Sequence, residues 1–181
     1  VCRKNPYQFD QARILGFYDT VLRTVIHDFK YRRQMGVLPE LDLLLKKYFE
    51  ENLDFCQGFT VSPVPLHFNE MKVRGFDHAF LILRQVARAL KLPLEGGLLR
   101  IVKATEPQAT MIRTEKARNI KGAFEVNRPE LIAGKNILLV DDVFTTGATV
   151  NEAAKMLKKN GAGKVYVFTL GRVVVGKGSG L

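Results

Sequence analysis

The sequence predicts a single α/β domain with a largely parallel sheet, and two observations support this class. The chain has 181 residues, enough for one domain with a proper core and too few for two of ordinary size. Near its end, residues 136–140 contain a continuous apolar run from Ile137 to Val140, residues 148–159 have apolar positions at helical spacing, and residues 164–170 are predicted to form the next strand. Strand, helix and strand within about 35 residues make a βαβ unit, and a continuous apolar run is typical of a strand buried on both faces.

The first third of the chain is interpreted as helical. Residues 10–33 have apolar positions at three-and-four spacing and predict one long helix; these positions are Ile14, Phe17, Tyr18, Val21, Leu22, Val25, Ile26 and Phe29. Pro39 can begin a second helix that reaches about Phe49. Its predicted apolar face comprises Leu41, Leu44, Leu45 and Tyr48.

In the middle of the chain, the spacing of apolar residues alternates between patterns typical of strands and of helices. Residues 59–62 predict a strand that ends at Pro63, because proline cannot continue a hydrogen-bonded ladder. Residues 76–90 predict a helix, with inward positions Phe76, Phe80, Leu83, Val86, Ala87 and Leu90. Short strands are expected at 98–102 and 123–126, with a long basic loop containing one helical turn at 103–121 between them. We therefore expect an N-terminal helical segment or hood at 1–55, a core at 56–175 and a tail at 176–181.

Composition limits the class of protein. Hydrophobic residues make up 46% and charged residues 25%, as in ordinary globular domains, and neither a membrane-spanning run nor a signal peptide is visible. Two cysteines, Cys2 and Cys56, cannot build a disulfide framework, so a cytoplasmic protein with reduced thiols is expected. His27, His67 and His78 lack ligand spacing, and no metal site built from protein side chains is predicted.

The positive charge is concentrated in the middle of the sequence. The net charge is +10, and residues 71–121 contain eleven Lys or Arg against four acids, a local charge of +7. Such a stretch attracts phosphate groups, either on a small anionic substrate or on a nucleic-acid backbone. Charge alone does not decide between the two.

The residues after the first apolar run have a specific chemistry. Asp141 and Asp142 are expected to leave the strand, and Thr145, Thr146, Gly147, Ala148 and Thr149 run into the start of a helix. A helix start offers free N–H groups and a positive dipole end to a phosphate, threonine hydroxyls add donors, and glycine lets the backbone approach closely. Ionised carboxylates only accept hydrogen bonds and so suit a vicinal diol. Together they predict a site for a ribose 5-phosphate. The alternative is that these residues only end a strand and cap a helix.

The stretch from Ile137 to Thr149 resembles the signature of type I phosphoribosyltransferases, in which a hydrophobic strand, two acidic residues and Thr-Thr-Gly-x-Thr follow one another. The resemblance implies a type I phosphoribosyltransferase fold and binding of phosphoribosyl pyrophosphate. It implies that Asp141 and Asp142 bind the ribose hydroxyls and that residues 145–149 hold the 5-phosphate. It also implies Mg²⁺ as cofactor, carried mainly by the pyrophosphate and hydroxyls.

Further motifs resemble the ComF/GntX-like competence-protein branch, which is amidophosphoribosyltransferase-like. They are Ser62-Pro63-Val64-Pro65-Leu66-His67, Arg74-Gly75-Phe76-Asp77-His78-Ala79, Lys30-Tyr31-Arg32, Gln108 and Arg118-Asn119-Ile120-Lys121-Gly122-Ala123-Phe124. Asp77-His78 stands where Asn-Gln is usual in this branch. The zinc-ribbon cysteines of the branch are missing, and Cys2-Arg3 looks like a remnant, so the ribbon was either trimmed or has decayed.

The second half of the site is expected at Pro65–Gly75, where Lys72, Arg74 and Gly75 precede a helix and could bind the pyrophosphate. Arg74 as a solvated loop charge is the alternative. Residues 103–121 resemble the hood that closes over this type of active site and excludes water. Arg113, Lys116 and Arg118 could then neutralise the leaving pyrophosphate, although each by itself also fits a surface charge.

The leading hypothesis is therefore an Mg²⁺-dependent phosphoribosyltransferase, with Asp141, Asp142 and Arg118 as catalytic residues and a base or amine as the unknown acceptor. One alternative is a competence-related DNA-uptake factor that binds single-stranded DNA or nucleotides. Another is a sensor that binds phosphoribosyl pyrophosphate without turning it over. A homo-oligomer is an open expectation.

Overall fold

The computed structural model describes residues 7–19, 22–27, 36, 38–65, 78–103 and 119–173. Within them, four parallel strands form the central sheet in the order β1-β6-β5-β2, and β3 and β4 form an antiparallel pair. The strands are β1 Gln11–Phe17, β2 Thr60–Pro63, β3 Leu99–Ile101, β4 Phe124–Val126, β5 Ile137–Phe144 and β6 Val165–Arg172. The helices are α1 Leu38–Glu50, α2 His78–Leu90 and α3 Ala148–Lys159, and residues 22–27 are also helical. Short 3₁₀ turns cover Leu53–Phe55 and Pro129–Leu131.

Two hydrophobic cores cover the two faces of the central sheet. The first core joins α1 and α2 to the face of β5 that carries Leu138 and Val140. The second joins α3 and the β3–β4 pair to the face that carries Ile137 and Leu139. All four of these side chains are at most 2% exposed, as expected of a parallel strand covered on both sides. The predicted α/β class with a parallel sheet and flanking helices is confirmed.

The long helix predicted over residues 10–33 is wrong at its beginning. Gln11–Phe17 is an edge strand that pairs in parallel with β6, from Gln11 opposite Tyr166 to Phe17 opposite Arg172. The helix is restricted to residues 22–27 within the described part, and Asp19 Oδ1 accepts a hydrogen bond from the Leu22 amide at 3.4 Å where it begins. The periodic pattern merged a strand with a helix because the partner of the strand lies near the other end of the chain. The hood at 1–55 is therefore not helical throughout, and its boundary at residue 55 stays a prediction.

Helices α1 and α2 lie close to their predicted positions, but two side chains do not face the core. Leu44 is 54% exposed and Phe80 is 38% exposed. The buried apolar side chains of α1 are instead Leu41, Leu45 and Phe49. Each helix buries one stripe of side chains in the first core, and Leu44 and Phe80 lie outside that stripe.

The other predicted elements differ only at their ends. Strands β2, β3, β4 and β6 and helix α3 form where apolar runs and periodicity predict them. Most of the loop predicted at 103–121 lies outside the described residues, as do Phe76 and the tail at 176–181.

Asp10 connects the start of β1 to β6 and to the end of α3. Its Oδ2 accepts hydrogen bonds from the Val165 amide at 2.7 Å and from Lys158 Nζ at 2.7 Å. Partial burial raises the pKa of Asp10, but the hydrogen bonds from Lys158 and Val165 and the charge of Lys158 lower that pKa by more. The net pKa is therefore below that of an unfolded aspartate.

A lowered carboxyl pKa makes this contribution to stability depend on pH. The contribution is fully present above the unfolded pKa of about 4 and is lost as the pH falls through the folded pKa. Because the ion pair is partly exposed, we expect Asp10→Asn to lower the free energy of unfolding by about 1 kcal/mol or less at pH 7. The loss should shrink toward pH 3. Urea unfolding of both proteins at the two pH values measures it, and an equal loss at both would contradict the ionic origin.

Candidate functional site

The site predicted at residues 141–149 begins inside a strand and not after it. Strand β5 extends to Phe144, so Asp141 and Asp142 are strand residues, and the loop expected from residue 141 is restricted to residues 145–147. Asp141 pairs with Thr169 of β6, and Val143 pairs with Gly171. The neighbouring strand continues past the end of the apolar run and supplies ladder partners for the polar residues. The two carboxylates are thereby fixed by the sheet.

The alternation of side chains along β5 breaks at the two aspartates. Strict alternation would place Val143 on the side of Leu139 and Phe144 on the side of Val140. Instead, Val143 packs against the first core and Phe144 belongs to the second. The pairing register with β6 stays constant from Ile137 to Phe144, so no residue is inserted, and the change lies in which core each side chain contacts.

The carboxylates lie at the carboxyl edge of the sheet, partly withdrawn from solvent. Asp142 is 8% exposed and Asp141 is half-buried. The Asp142 amide donates a hydrogen bond to Asp141 Oδ1 at 2.8 Å, which fixes the side chain of Asp141 against the backbone. In an open parallel sheet, ligands bind beyond this edge. The arrangement can therefore present carboxylate oxygens to a bound polar molecule.

The start of helix α3 has the features of an anion site. Gly147 occupies the N-cap position with φ 75° and has no side chain that could cap the helix. Thr146 Oγ1 accepts a hydrogen bond from the Ala148 amide at 3.3 Å. Among the described residues, none accepts a hydrogen bond from the amides of Thr149 and Val150. Open N–H groups at the positive end of a helix dipole attract a phosphate.

Gly147 is required for a reason beyond close approach to a ligand. Its left-handed φ favours glycine, and a Cβ at this position would lie 2.5 Å from Phe144 Cζ and 3.1 Å from Tyr7 Cε1. The backbone of residue 147 is thus packed against two aromatic rings. The conformation of the loop depends on this close contact.

Pro65 follows β2 at the carboxyl edge of the sheet, and its predicted role in the second half of the site stays a prediction. Pro63 pairs with Val140, and the Val64 amide donates to the Val140 carbonyl at 3.0 Å, so the chain leaves β2 next to Asp141. Arg74 and Gly75, predicted to bind the pyrophosphate, lie outside the described residues, and so does Arg118. Their roles stay predictions.

Two residues that contact the site region were missed by the sequence analysis. Tyr7 donates a hydrogen bond from its hydroxyl to the Thr146 carbonyl at 3.1 Å. Glu152 is 8% exposed, and its Oε1 accepts from the Gly122 amide at 3.0 Å and lies 3.4 Å from Lys155 Nζ. A glutamate on the otherwise apolar face of α3 is the signal that could have revealed Glu152. No local signal connects Tyr7 with Thr146.

Glu152 anchors the C-terminal end of the basic loop to α3, which predicts a graded loss of stability. Glu152→Ala removes the acceptor of the Gly122 amide and should lower the free energy of unfolding by about 1–2 kcal/mol. Glu152→Gln keeps an acceptor oxygen and should lose less than half of that. Urea unfolding measures both variants, and equal losses would show that the charge facing Lys155 matters more than the hydrogen bond.

Metal ligation and thiol chemistry find little support in the described part of the chain. It contains no group of three or more His, Cys, Asp or Glu side chains that could hold a metal ion. Burial raises the pKa of the Cys56 thiol to about 12, so this thiol is protonated at neutral pH.

No helix among the described residues is long and apolar enough to cross a bilayer.

The fold and the site together define the class of protein. The phosphoribosyl transferase domain family matches residues 77–175, a range that contains the two aspartates, the threonine loop and α3. The chain belongs to this family.

Similar proteins indicate which branch of the family this chain resembles. Competence protein F of Haemophilus influenzae is 32% identical over 177 residues, covering 94% of this chain and 76% of that protein. The DNA utilization protein YhgH of Escherichia coli K12 is 29% identical over 176 residues, covering 96% of this chain and 77% of its own length. Competence protein ComFC of Bacillus subtilis is 29% identical over 161 residues, covering 88% of this chain and 63% of that protein. The resemblance to the ComF-like branch is confirmed.

Proposed function

We propose that this chain is an Mg²⁺-dependent phosphoribosyltransferase that binds phosphoribosyl pyrophosphate. A nitrogen nucleophile on a base or amine would attack the anomeric carbon, forming the new C–N bond as the C–O bond to pyrophosphate breaks. The observation that supports this best is the N-terminus of α3 with its open Thr149 and Val150 amides, three residues after the end of β5, with Asp141 and Asp142 at the same edge of the sheet. Membership of the phosphoribosyl transferase domain family agrees with it.

The 5-phosphate would bind at the start of α3. The open amides of Thr149 and Val150 and the hydroxyls of Thr145 and Thr149 can donate to its oxygens, while the helix dipole favours its charge. Thr145 is exposed and Thr149 half-buried, so both are accessible to a ligand. These groups would hold one end of the sugar in place without taking part in bond making.

The ribose hydroxyls would donate to the carboxylates of Asp141 and Asp142. Because both are held by the sheet, the sugar would be oriented with little loss of side-chain freedom, and positioning of this kind is a large part of catalysis. Carboxylate oxygens also suit Mg²⁺, which takes oxygen ligands and keeps several waters. When bound with the pyrophosphate, Mg²⁺ would neutralise charge on the leaving group.

The pyrophosphate would lie over Pro65–Gly75, with Lys72 and Arg74 as its charged partners. Residues 103–121 would exclude water from the reacting centre, and Arg113, Lys116 and Arg118 would neutralise the charge of the leaving pyrophosphate. The acceptor would then be selected by residues 1–55 together with 103–121.

A pyrophosphate-release assay tests the proposal directly. The protein is incubated with Mg²⁺, phosphoribosyl pyrophosphate and a panel of purine bases, pyrimidine bases and amines, and we expect release that depends on one acceptor and on Mg²⁺. Calorimetry with phosphoribosyl pyrophosphate separates binding from turnover. Binding without release for any acceptor would support a sensor, and no binding at millimolar ligand would contradict the proposal.

A second candidate is a factor that handles single-stranded DNA, which the names of two relatives favour, since they are called competence protein F and DNA utilization protein. The charge of +7 over residues 71–121 agrees with it. Filter binding of a labelled single strand should weaken steeply between 50 and 200 mM salt, by about 10³-fold or more if at least six phosphates are contacted. A weak affinity that does not change with salt would argue against it.

A further inference from the structure

Residues 7–10 form a segment, here called the strap, that crosses the phosphate-binding end of the second core. The Tyr7 hydroxyl donates to the Thr146 carbonyl at 3.1 Å, and the Gln8 amide donates to Asn151 Oδ1 at 2.6 Å. Asp10 accepts from Val165 and Lys158, as described above. The strap therefore contacts the loop, α3 and β6, and these contacts hold its path beside residues 145–147.

The aromatic rings of the strap pack against the same loop. Tyr7 stacks on Phe9 with ring centroids 4.6 Å apart, and both meet Phe144 edge-on at 6.2 and 6.3 Å. A Cβ on Gly147 would lie 3.1 Å from the Tyr7 ring, so this ring lies against the backbone of residue 147. Tyr7 thus contacts two consecutive residues of the loop, Thr146 through its hydroxyl and Gly147 through its ring.

The hydrogen bond from Tyr7 fixes the orientation of one peptide plane. The Thr146 carbonyl and the Gly147 amide belong to the same peptide, and in a trans peptide they point in opposite directions. No cis peptide bond occurs in the described chain. With Tyr7 on the carbonyl side, the Gly147 N–H is directed away from the strap. The Gly147 N–H is therefore not engaged by the strap and can donate to a bound phosphate.

We propose that Tyr7 is a positioning residue for the phosphate-binding loop, acting through the Thr146–Gly147 peptide. The Tyr7 hydrogen bond would hold the loop in the conformation that receives the 5-phosphate. Less conformational entropy would then be lost when the ligand binds. The identity of the ligand in this inference rests on the proposed function. The claim that Tyr7 orders the loop in the free protein is independent of that function.

The test uses Tyr7→Phe, which keeps the ring and removes the hydroxyl. Loss of one neutral hydrogen bond should weaken binding of ribose 5-phosphate by about 2- to 10-fold. Binding of inorganic pyrophosphate, which is expected at Pro65–Gly75, should not change. Amide hydrogen exchange of the free protein should become faster over residues 145–150. Tyr166→Phe is the matched control, because Tyr166 packs against Phe55 and Phe59 near the amino end of β6.

The outcomes separate the two proposals. Selective weakening of ribose 5-phosphate binding with faster exchange in the loop supports the role of Tyr7. Unchanged ribose 5-phosphate binding with unchanged exchange overturns it, as does equal weakening of both ligands in both tyrosine variants. If the wild-type protein binds neither ligand, the proposed function fails, and the hydrogen exchange of the free loop alone then supports or overturns the positioning role.

Discussion

Replacing Asp142 by asparagine is expected to weaken binding of phosphoribosyl pyrophosphate by about 10- to 100-fold, since hydrogen bonds to charged groups contribute about 1.5–3 kcal/mol. The amide keeps the shape of the side chain but loses the charge and one acceptor oxygen. Asp142 is 8% exposed, so water cannot replace the lost acceptor easily. Calorimetry with phosphoribosyl pyrophosphate and Mg²⁺ measures the change, and Asp141→Asn provides a second variant at the same site.

Asp54→Asn is the matched control for Asp142→Asn. Asp54 is exposed and lies in the 3₁₀ turn before β2, at the amino edge of the sheet and away from the carboxylates. Thermal unfolding of all three variants separates loss of binding from loss of the fold. Wild-type affinity in folded Asp142→Asn would remove Asp142 from the site.

Replacing Gly147 by alanine is expected to have the other large effect. Alanine would have to adopt φ 75° and place its Cβ 2.5 Å from the Phe144 ring, so the loop must move. Strain at such a position costs about 1–3 kcal/mol. We expect a comparable loss in the free energy of unfolding and at least about tenfold weaker binding of ribose 5-phosphate, because the helix amides no longer converge on the phosphate.

Gly58→Ala separates backbone strain from the ring clash. Gly58 has φ 74°, almost the same as Gly147, but nothing lies within 4 Å of a Cβ there. Its variant should lose only the stability that the left-handed φ costs and should bind ribose 5-phosphate normally. If both alanine variants lose equal stability and neither changes binding, the packing of Gly147 between the rings does not shape the site.

The sequence predicted best the elements whose evidence is local. Helix α3 occupies Ala148–Lys159 as predicted, because apolar residues recur at helical spacing and Asn160-Gly161 follow. Strands β5 and β6, which flank this helix, were predicted from short stretches rich in apolar residues, and this evidence is also local. The helix predicted over residues 10–33 failed because β1 is defined by its pairing with β6, a distant segment, while the apolar spacing of residues 10–19 by itself also fits a helix.

The candidate site also has features that local sequence predicts and features that it does not. The order of two acids, threonines and glycine led to the hypothesis of a ribose-phosphate site, and the structure places those residues at one edge of the sheet. The extension of β5 through Asp141 and Asp142 was not predictable, because charged residues normally end a buried strand and only the neighbouring β6 supplies their partners. The contact of Tyr7 with Thr146 spans 139 positions and was likewise invisible.

By itself, the sequence determined the α/β class and the βαβ unit at residues 136–170, because periodicity is a property of neighbouring residues, and it supplied the hypothesis of a ribose-phosphate site from the order of Asp141 to Thr149. Only the tertiary structure decided that the N-terminal strand pairs with β6 at the edge of the sheet, that the aspartates are strand residues, and that the rings of Tyr7 and Phe144 pack against Gly147. These features arise when segments far apart in the chain pack together, and their free energy comes from contacts that no local pattern encodes.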